Sequence, residues 1–266
     1  MALDLTVDGK KVFAATGGKT FDPSLPVMMF VHGASMNRTV WALPARYFAH
    51  HGYAVMAVDL PGHGNSEGPP LPTISAIGDW LIAALDAAGV ERTTLVGHSM
   101  GTLPLIDAAA RHGDRIERVV LLGTSVPMPV ADALLDNAEA NNHAAFDMVT
   151  LWGFSKKAQI GGNRAPGTWV TETGLRLLER GAPGVLHNDM KACNDYQSGL
   201  EDAAKIACPA VLILGDRDMM TPPRNAKSLM EALPNGRMIV LKGCGHMMMA
   251  EQPDETLDAM IEAMAP

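Results

Sequence analysis

Gly97-His98-Ser99-Met100-Gly101 decides the reading of this sequence because of where it stands. Ahead of it lies the apolar run Thr93-Thr94-Leu95-Val96; from Gly101 to His112 apolar residues recur at three- and four-residue spacing. A strand therefore passes into a helix through five residues. A serine at the centre of such a turn is presented at the carboxyl edge of a sheet. Glycines two positions to either side leave room for a backbone that would otherwise collide with its neighbours. The five letters alone are a weak signal, and the strand-turn-helix context is what gives them meaning.

Working outward, the same alternation repeats. Val27 to Val31, Tyr53 to Val58, Arg118 to Leu122, Ala210 to Leu214 and Arg237 to Leu241 read as short buried strands stopped by turn formers. Val40 to His51, Ile74 to Ala88, Pro223 to Leu233 and Pro253 to Met264 carry the spacing of core-facing helices. This is the pattern of an α/β chain with a doubly wound, mostly parallel sheet. Thr6-Val7 and Val12 to Ala15 around Asp8-Gly9-Lys10 read as an antiparallel hairpin at the sheet edge. Residues 126 to 206 break the rhythm: no convincing strand, helical stretches at Ala131 to Ala140 and Gly174 to Arg180, and the run Gly161-Gly162-Asn163-Arg164-Ala165-Pro166-Gly167. The expected organisation is a core of residues 1–125 and 207–266 carrying a helical lid at 126–206.

Composition narrows the function classes. With 266 residues, 47% hydrophobic and 19% charged, the chain can bury a large core and does not resemble a disordered one. Twenty-one basic against 29 acidic residues, a net −8, offer no field for phosphates or anionic lipid, so nucleic acid and membrane are not expected partners. Cys193, Cys208 and Cys244 form no metal-ligand spacing and are odd in number, as reduced thiols of a cytoplasmic protein would be. The N-terminus has acids where a secretion signal needs basic residues.

Two later loops supply what a serine nucleophile needs. Gly215-Asp216-Arg217-Asp218 follows one strand and Gly243-Cys244-Gly245-His246 follows the last. An unassisted serine hydroxyl is a poor nucleophile at neutral pH. A base must take its proton, and a carboxylate must hold that base in the right tautomer. His246 is the candidate base, with Asp218 or Asp216 as the acid, in the chain order serine, acid, histidine.

With these residues assembled, the chain resembles the α/β-hydrolase superfamily along almost its whole length. Phe30-Val31-His32-Gly33-Ala34 is similar to the family's oxyanion loop, Asp59 to Ser66 to its Gly-His-Gly-x-Ser turn, and Gly97 to Gly101 to its nucleophile elbow. The resemblance implies Ser99 as nucleophile, His246 as base and Asp218 rather than Asp216 as the acid. It also implies that the backbone N–H groups of Ala34 and Met100 hold the oxyanion, with the Ser35 hydroxyl as a further candidate donor. His32, His63 and His98 are expected to have structural roles. No metal or organic cofactor is implied.

A serine in place of an aspartate disfavours dehalogenase and epoxide-hydrolase chemistry. The expected activity is hydrolysis of a carboxylic ester with a small or medium apolar acyl group. Candidate walls are Met100, Leu103, Met128, Trp152, Phe154, Met219, Met247 and Met248. The alternatives are a carbon–carbon bond hydrolase of the meta-cleavage-product kind, a lactonase, a thioesterase, a cofactor-free haloperoxidase, or a non-catalytic small-molecule receptor. The first would need Arg164, Lys191 or Asn194 to bind a substrate carboxylate. His187, Asn188 and Asp195 are weaker candidates for a pocket wall.

Overall fold

Residues 1–162 and 167–265 are described by a computed structural model. Its strands are β1 (Ala2–Val7), β2 (Lys10–Ala15), β3 (Val27–Val31), β4 (Ala54–Val58), β5 (Thr93–His98), β6 (Ile116–Leu122), β7 (Ala210–Gly215) and β8 (Gly236–Leu241). They form one sheet in the order β1-β2-β4-β3-β5-β6-β7-β8. The expected hairpin is present, with Val7 opposite Lys10, and β2 meets β4 antiparallel. Every pair from β4 to β8 is parallel.

The central strands are buried on both faces, so their residues divide between two cores. Along β3, Val27, Met29 and Val31 join one cluster, and Met28 and Phe30 the other. On the first face lie α2 (Ile74–Ala87) and α3 (Thr102–Arg111), whose Leu81, Leu85, Leu105 and Ile106 are fully or almost fully buried; α1 (Ala42–Ala49) covers the second face. There Phe30 packs on Trp41 at 5.3 Å between ring centroids. Each such side chain contributes roughly 1.5–3 kcal/mol by leaving water.

Between β6 and β7 the described residues fold into α4 (Asp132–Glu139), α5 (Ala144–Gly153), α6 (Lys156–Gln159), α7 (Val170–Leu178), α8 (Val185–Asp195) and α9 (Gly199–Ala203), with no strand. The core resumes with α10 (Lys227–Ala232), and after β8 come α11 (Met248–Glu251) and α12 (Pro253–Met264). The helix expected at Gly174–Arg180 begins four residues earlier, because Gly174 is not a start signal: a Cβ there would meet the Phe154 ring at 2.8 Å, so it is a packing position inside α7. Asn163, Arg164, Ala165 and Pro166 lie outside the described residues. No helix among the described residues is long and apolar enough to cross a membrane.

Because β3 sits between β4 and β5, the chain reverses its winding direction at β3. The carboxyl ends of β3 and β5 therefore open onto the crevice where sheets of this type hold their ligands. The loops containing Gly33–Met36 and Ser99 follow these two strands.

Candidate active site

Ser99 ends the run of β5 and has φ +53°, the left-handed region that a non-glycine residue rarely occupies. The turn is tight enough to dictate its flanks. A Cβ on Gly97 would lie 2.5 Å from the Gly101 carbonyl oxygen, and one on Gly101 would lie 2.5 Å from that of His32. Both obstacles are backbone and cannot move aside. Ser99 is partly exposed, and among the described residues its hydroxyl makes no hydrogen bond.

The acid and histidine loops come together beside it. His246 Nδ1 lies 2.7 Å from Asp218 Oδ2, and both side chains are almost completely buried. Thr221 donates its hydroxyl to the same carboxylate oxygen at 2.7 Å, and the Met220 and Thr221 N–H groups both donate to Oδ1 at 2.8 Å. The carboxylate is thus fully engaged. Burial works against its charge, but His246 and the Thr221 bonds outweigh it and lower the Asp218 pKa to about 2. An ionised Asp218 accepts the Nδ1 proton and leaves Nε2 of His246 as the lone-pair nitrogen. That Nε2 is buried and has no hydrogen-bond partner among the described residues. Asp216 instead accepts the Gly243 N–H at 2.6 Å, so the carboxylate on the histidine is Asp218.

His98, next to Ser99, donates Nε2–H to the His246 carbonyl at 2.9 Å, with the two rings 4.8 Å apart. Burial and the nearby His246 hold His98 neutral, its pKa lowered to about 3. It therefore ties the serine elbow to the histidine loop. Thr221 makes a second join, since it bonds Asp218 and also lines the cavity that holds Ser99. His98 was expected to be structural, as it is here, but the part played by Thr221 was not expected from sequence. The available signal was Asp218-x-x-Thr221, a spacing at which an aspartate accepts a backbone N–H and a threonine reaches back to it.

The Ser99 cavity has a volume of about 170 Å³ and includes Ala34 and Met100. Met100 lies in the first turn after the elbow, where an N–H has no partner within the helix. The Ala34 N–H makes no hydrogen bond among the described residues. Of the expected walls, Met100, Met128, Trp152 and Met219 are present, joined by Met190, Met220 and Cys193. Leu103 and Met248 are core residues, while Phe154 and Met247 line a separate groove with Leu43 and Leu177. Ser35 does not reach the Ser99 cavity; it lines a neighbouring one with His63. Lys191 pairs with Asp195, and the Asn194 side-chain oxygen accepts the Val130 N–H, so neither points its charge or amide into the Ser99 cavity. Asn188 donates to the Leu71 carbonyl, and Asp195 borders a pocket with Pro72 and Ser198.

Two further contacts tie the segment of α4–α9 to the core. Glu251 Oε1 accepts the Gly245 and Ser155 N–H groups, each at 3.1 Å. Burial raises the Glu251 pKa. Asp189 of α8 accepts the Ser35 N–H and His63 Nε2, each at 2.8 Å.

Comparison with known proteins agrees with this architecture. The chain is 24% identical over 240 residues to (E)-2-((N-methylformamido)methylene)succinate hydrolase of Acinetobacter baylyi, covering 88% of each chain. It is 29% identical to a pimeloyl-[acyl-carrier protein] methyl ester esterase of Chromobacterium violaceum, over 89% of this chain and 93% of that one. The enol-lactonase of Burkholderia xenovorans superposes with a TM-score of 0.85 at 22% identity, over 98% of this chain and 99% of that one. The model of the alpha/beta hydrolase family matches residues 28–259, so with its eight-stranded, mostly parallel sheet flanked by helices the chain belongs to that family.

Proposed function

We propose that the protein is a carboxylic-ester hydrolase that works through an acyl-enzyme on Ser99, with His246 as general base and Asp218 as its orienting acid. The observation that carries this reading is the buried Asp218–His246 pair, whose Nε2 is left without a partner beside a serine in an elbow turn. Ser99 Oγ attacks the ester carbonyl as His246 Nε2 takes its proton. Asp218 keeps Nδ1 protonated and stabilises the imidazolium that forms. The Ala34 and Met100 N–H groups receive the developing oxyanion; one such donor contributes about 2.7–4 kcal/mol in related sites. His246 returns the proton to the leaving alcohol, and water then releases the acid by the same steps.

The substrate reading rests on the cavity. Its walls are apolar and rich in sulfur, and about 170 Å³ is close to the roughly 150 Å³ that accommodates one benzene molecule. An acyl group of about that size, without charge, fits it. Residues 126–206 serve in this reading as the lid that closes over the acyl group. The names of the esterase and lactonase relatives support a carbonyl–oxygen bond as the target. A receptor role is separated by turnover, since a receptor releases no alcohol.

The test is a burst experiment with para-nitrophenyl esters of graded acyl size, run beside Ser99→Ala. Fast release by the wild type with an optimum near one ring or its equivalent is expected. Equal release by Ser99→Ala would sink the nucleophile assignment.

A further inference from the structure

The Ser99 carbonyl and the Met100 N–H belong to one planar, trans peptide and so point in opposite directions. Whatever holds that carbonyl also aims that N–H. The carbonyl accepts two hydrogen bonds from one residue, the backbone N–H of Thr102 and, at 2.7 Å, its hydroxyl. A helical threonine often bonds back to the carbonyl three residues before it, but here the chain of bonds continues. Thr102 Oγ1 lies 2.8 Å from Thr124 Oγ1, and both residues are fully buried. A hydroxyl has one proton, and that of Thr102 is on the Ser99 carbonyl, so Thr124 is the donor to Thr102.

Thr124 makes no other side-chain hydrogen bond among the described residues. It stands just after β6, where the N–H of the preceding Gly123 bonds the Ile213 carbonyl of β7 at 2.9 Å. The relay from Thr124 through Thr102 to Ser99 therefore starts at the middle of the sheet and ends at the elbow. The other candidate donor is held on the same plan. The Ala34 N–H shares its peptide with the Gly33 carbonyl, which accepts the Met36 N–H at 3.2 Å and His32 Nδ1–H at 2.8 Å. The Leu60 N–H donates to His32 Nε2 at 3.1 Å and so keeps the ring proton on Nδ1. Each donor peptide is fastened at its carbonyl end by one backbone N–H and one buried side chain.

We propose that Thr102 and Thr124 are positioning residues for the Met100 oxyanion donor: the buried hydroxyl relay fastens the Ser99 carbonyl and thereby keeps the Met100 N–H aimed at the Ser99 cavity. Turning the Ser99–Met100 peptide about its flanking bonds would carry the N–H off that aim, and it would have to break the Thr102 hydroxyl bond to do so. Bonds in such a chain polarise one another by roughly 10–30% each, so Thr124 strengthens the Thr102 bond, and the polarised peptide is a better donor at its N–H end. The inference rests on the acyl-enzyme reading above.

The experiment compares the wild type, Thr102→Val, Thr102→Ser, Thr124→Val and the double variant Thr102→Val/Thr124→Val. It measures para-nitrophenyl ester hydrolysis, melting temperature, and the Ki of a trifluoromethyl ketone, whose adduct on Ser99 carries an oxyanion. Thr102→Val should lower kcat about tenfold, less than the roughly 10²–10³-fold that outright loss of a donor costs. KM should stay within about twofold, because ground-state binding is untouched. Ki should rise by the same factor as kcat falls. Thr102→Ser keeps the hydroxyl and should restore kcat to within about threefold of the wild type, and Thr124→Val, which leaves Thr102 on Ser99, should cost about two- to threefold. Thr102→Val also strands the buried Thr124 donor and should lower the melting temperature; the double variant removes that donor and should recover most of the loss. Its kcat should not recover, whereas a purely structural Thr102 would regain stability and activity together. If Thr102→Val does not fold, the double variant, with no hydroxyl left unpaired, carries the same kinetic comparison. Wild-type kcat in either of these variants, a loss confined to KM, an unchanged Ki, or no restoration by Thr102→Ser would overturn the inference alone. Failure of wild-type Ser99 to label with a fluorophosphonate would overturn the acyl-enzyme reading, and the inference with it.

Discussion

Two buried carboxylates join the α4–α9 segment to the catalytic core, and they run in opposite directions. Glu251 belongs to the core: it steadies Gly245, next to His246, and lends the same oxygen to Ser155 of the inserted segment. Asp189 belongs to the inserted segment: it steadies Ser35 and holds His63 of the core. On the histidine side Asp218, Thr221 and His246 bond to one another and, among the described residues, take no side chain from the insertion. The Gly33–Met36 turn, by contrast, is also bonded by a carboxylate from the inserted segment. One half of the candidate site is thus self-supporting, and the other is bonded to the inserted segment.

The sharpest way to test that contrast is on the self-supporting half. Asp218→Asn should lower kcat by about 10⁴-fold, by favouring the wrong histidine tautomer, with the fold retained in circular dichroism. A loss of about tenfold or less would contradict His246 as a base oriented by Asp218. Thr221→Val deletes one hydroxyl bond to the carboxylate. We expect about a tenfold fall in kcat, equivalent to roughly 1.4 kcal/mol, and a lower melting temperature. Glu251→Gln keeps an acceptor for Gly245 and Ser155, and kcat should stay within about threefold of the wild type, as one amide-for-carboxylate exchange costs about 1 kcal/mol or less. A larger catalytic loss would mean that the histidine side also leans on its link to the insertion.

The two sides should also fail at opposite ends of the pH scale. The Asp218 pKa is lowered from 3.8 to about 2, so its contribution to stability is full above 3.8 and is lost as pH falls towards 2. The His63 pKa is raised from 6.5, so its contribution is full below 6.5 and is lost as pH rises through the higher folded value. Melting temperatures measured across pH should show the acid limb flattened in Asp218→Asn and the alkaline limb flattened in His63→Gln. Flattening of the same limb in both would contradict the assignment of charges.

What could be read from the sequence divides along the same line. β3 and α12 match their expected limits, because short apolar runs and a helix opened by Pro253 are bounded by local chemistry. The placement of Ser99, Asp218 and His246 was legible for the same reason: each stands in a short loop directly after a strand. The contacts of Asp189 were not. It lies 126 residues from His63 and 154 from Ser35, and no local spacing encodes such contacts. α8 itself escaped notice because Asn188 and Asp189 occupy inward positions, where an apolar stripe would have marked a helix. Walls such as Met247 and Met248 were misplaced because a methionine reads alike in a pocket, a groove or a core.

The left-handed backbone of Ser99 bears on heat tolerance. Such a conformation costs a non-glycine residue of order 1 kcal/mol or more, and glycine occupies it freely. Ser99→Gly, which the proposed mechanism makes inactive, should therefore melt a few degrees above the wild type, since about 1 kcal/mol corresponds to roughly 2–4 °C in a chain of this size. On warming, that variant should outlast the wild type, and breeding a hardier form of this scaffold would have to proceed at positions away from Ser99.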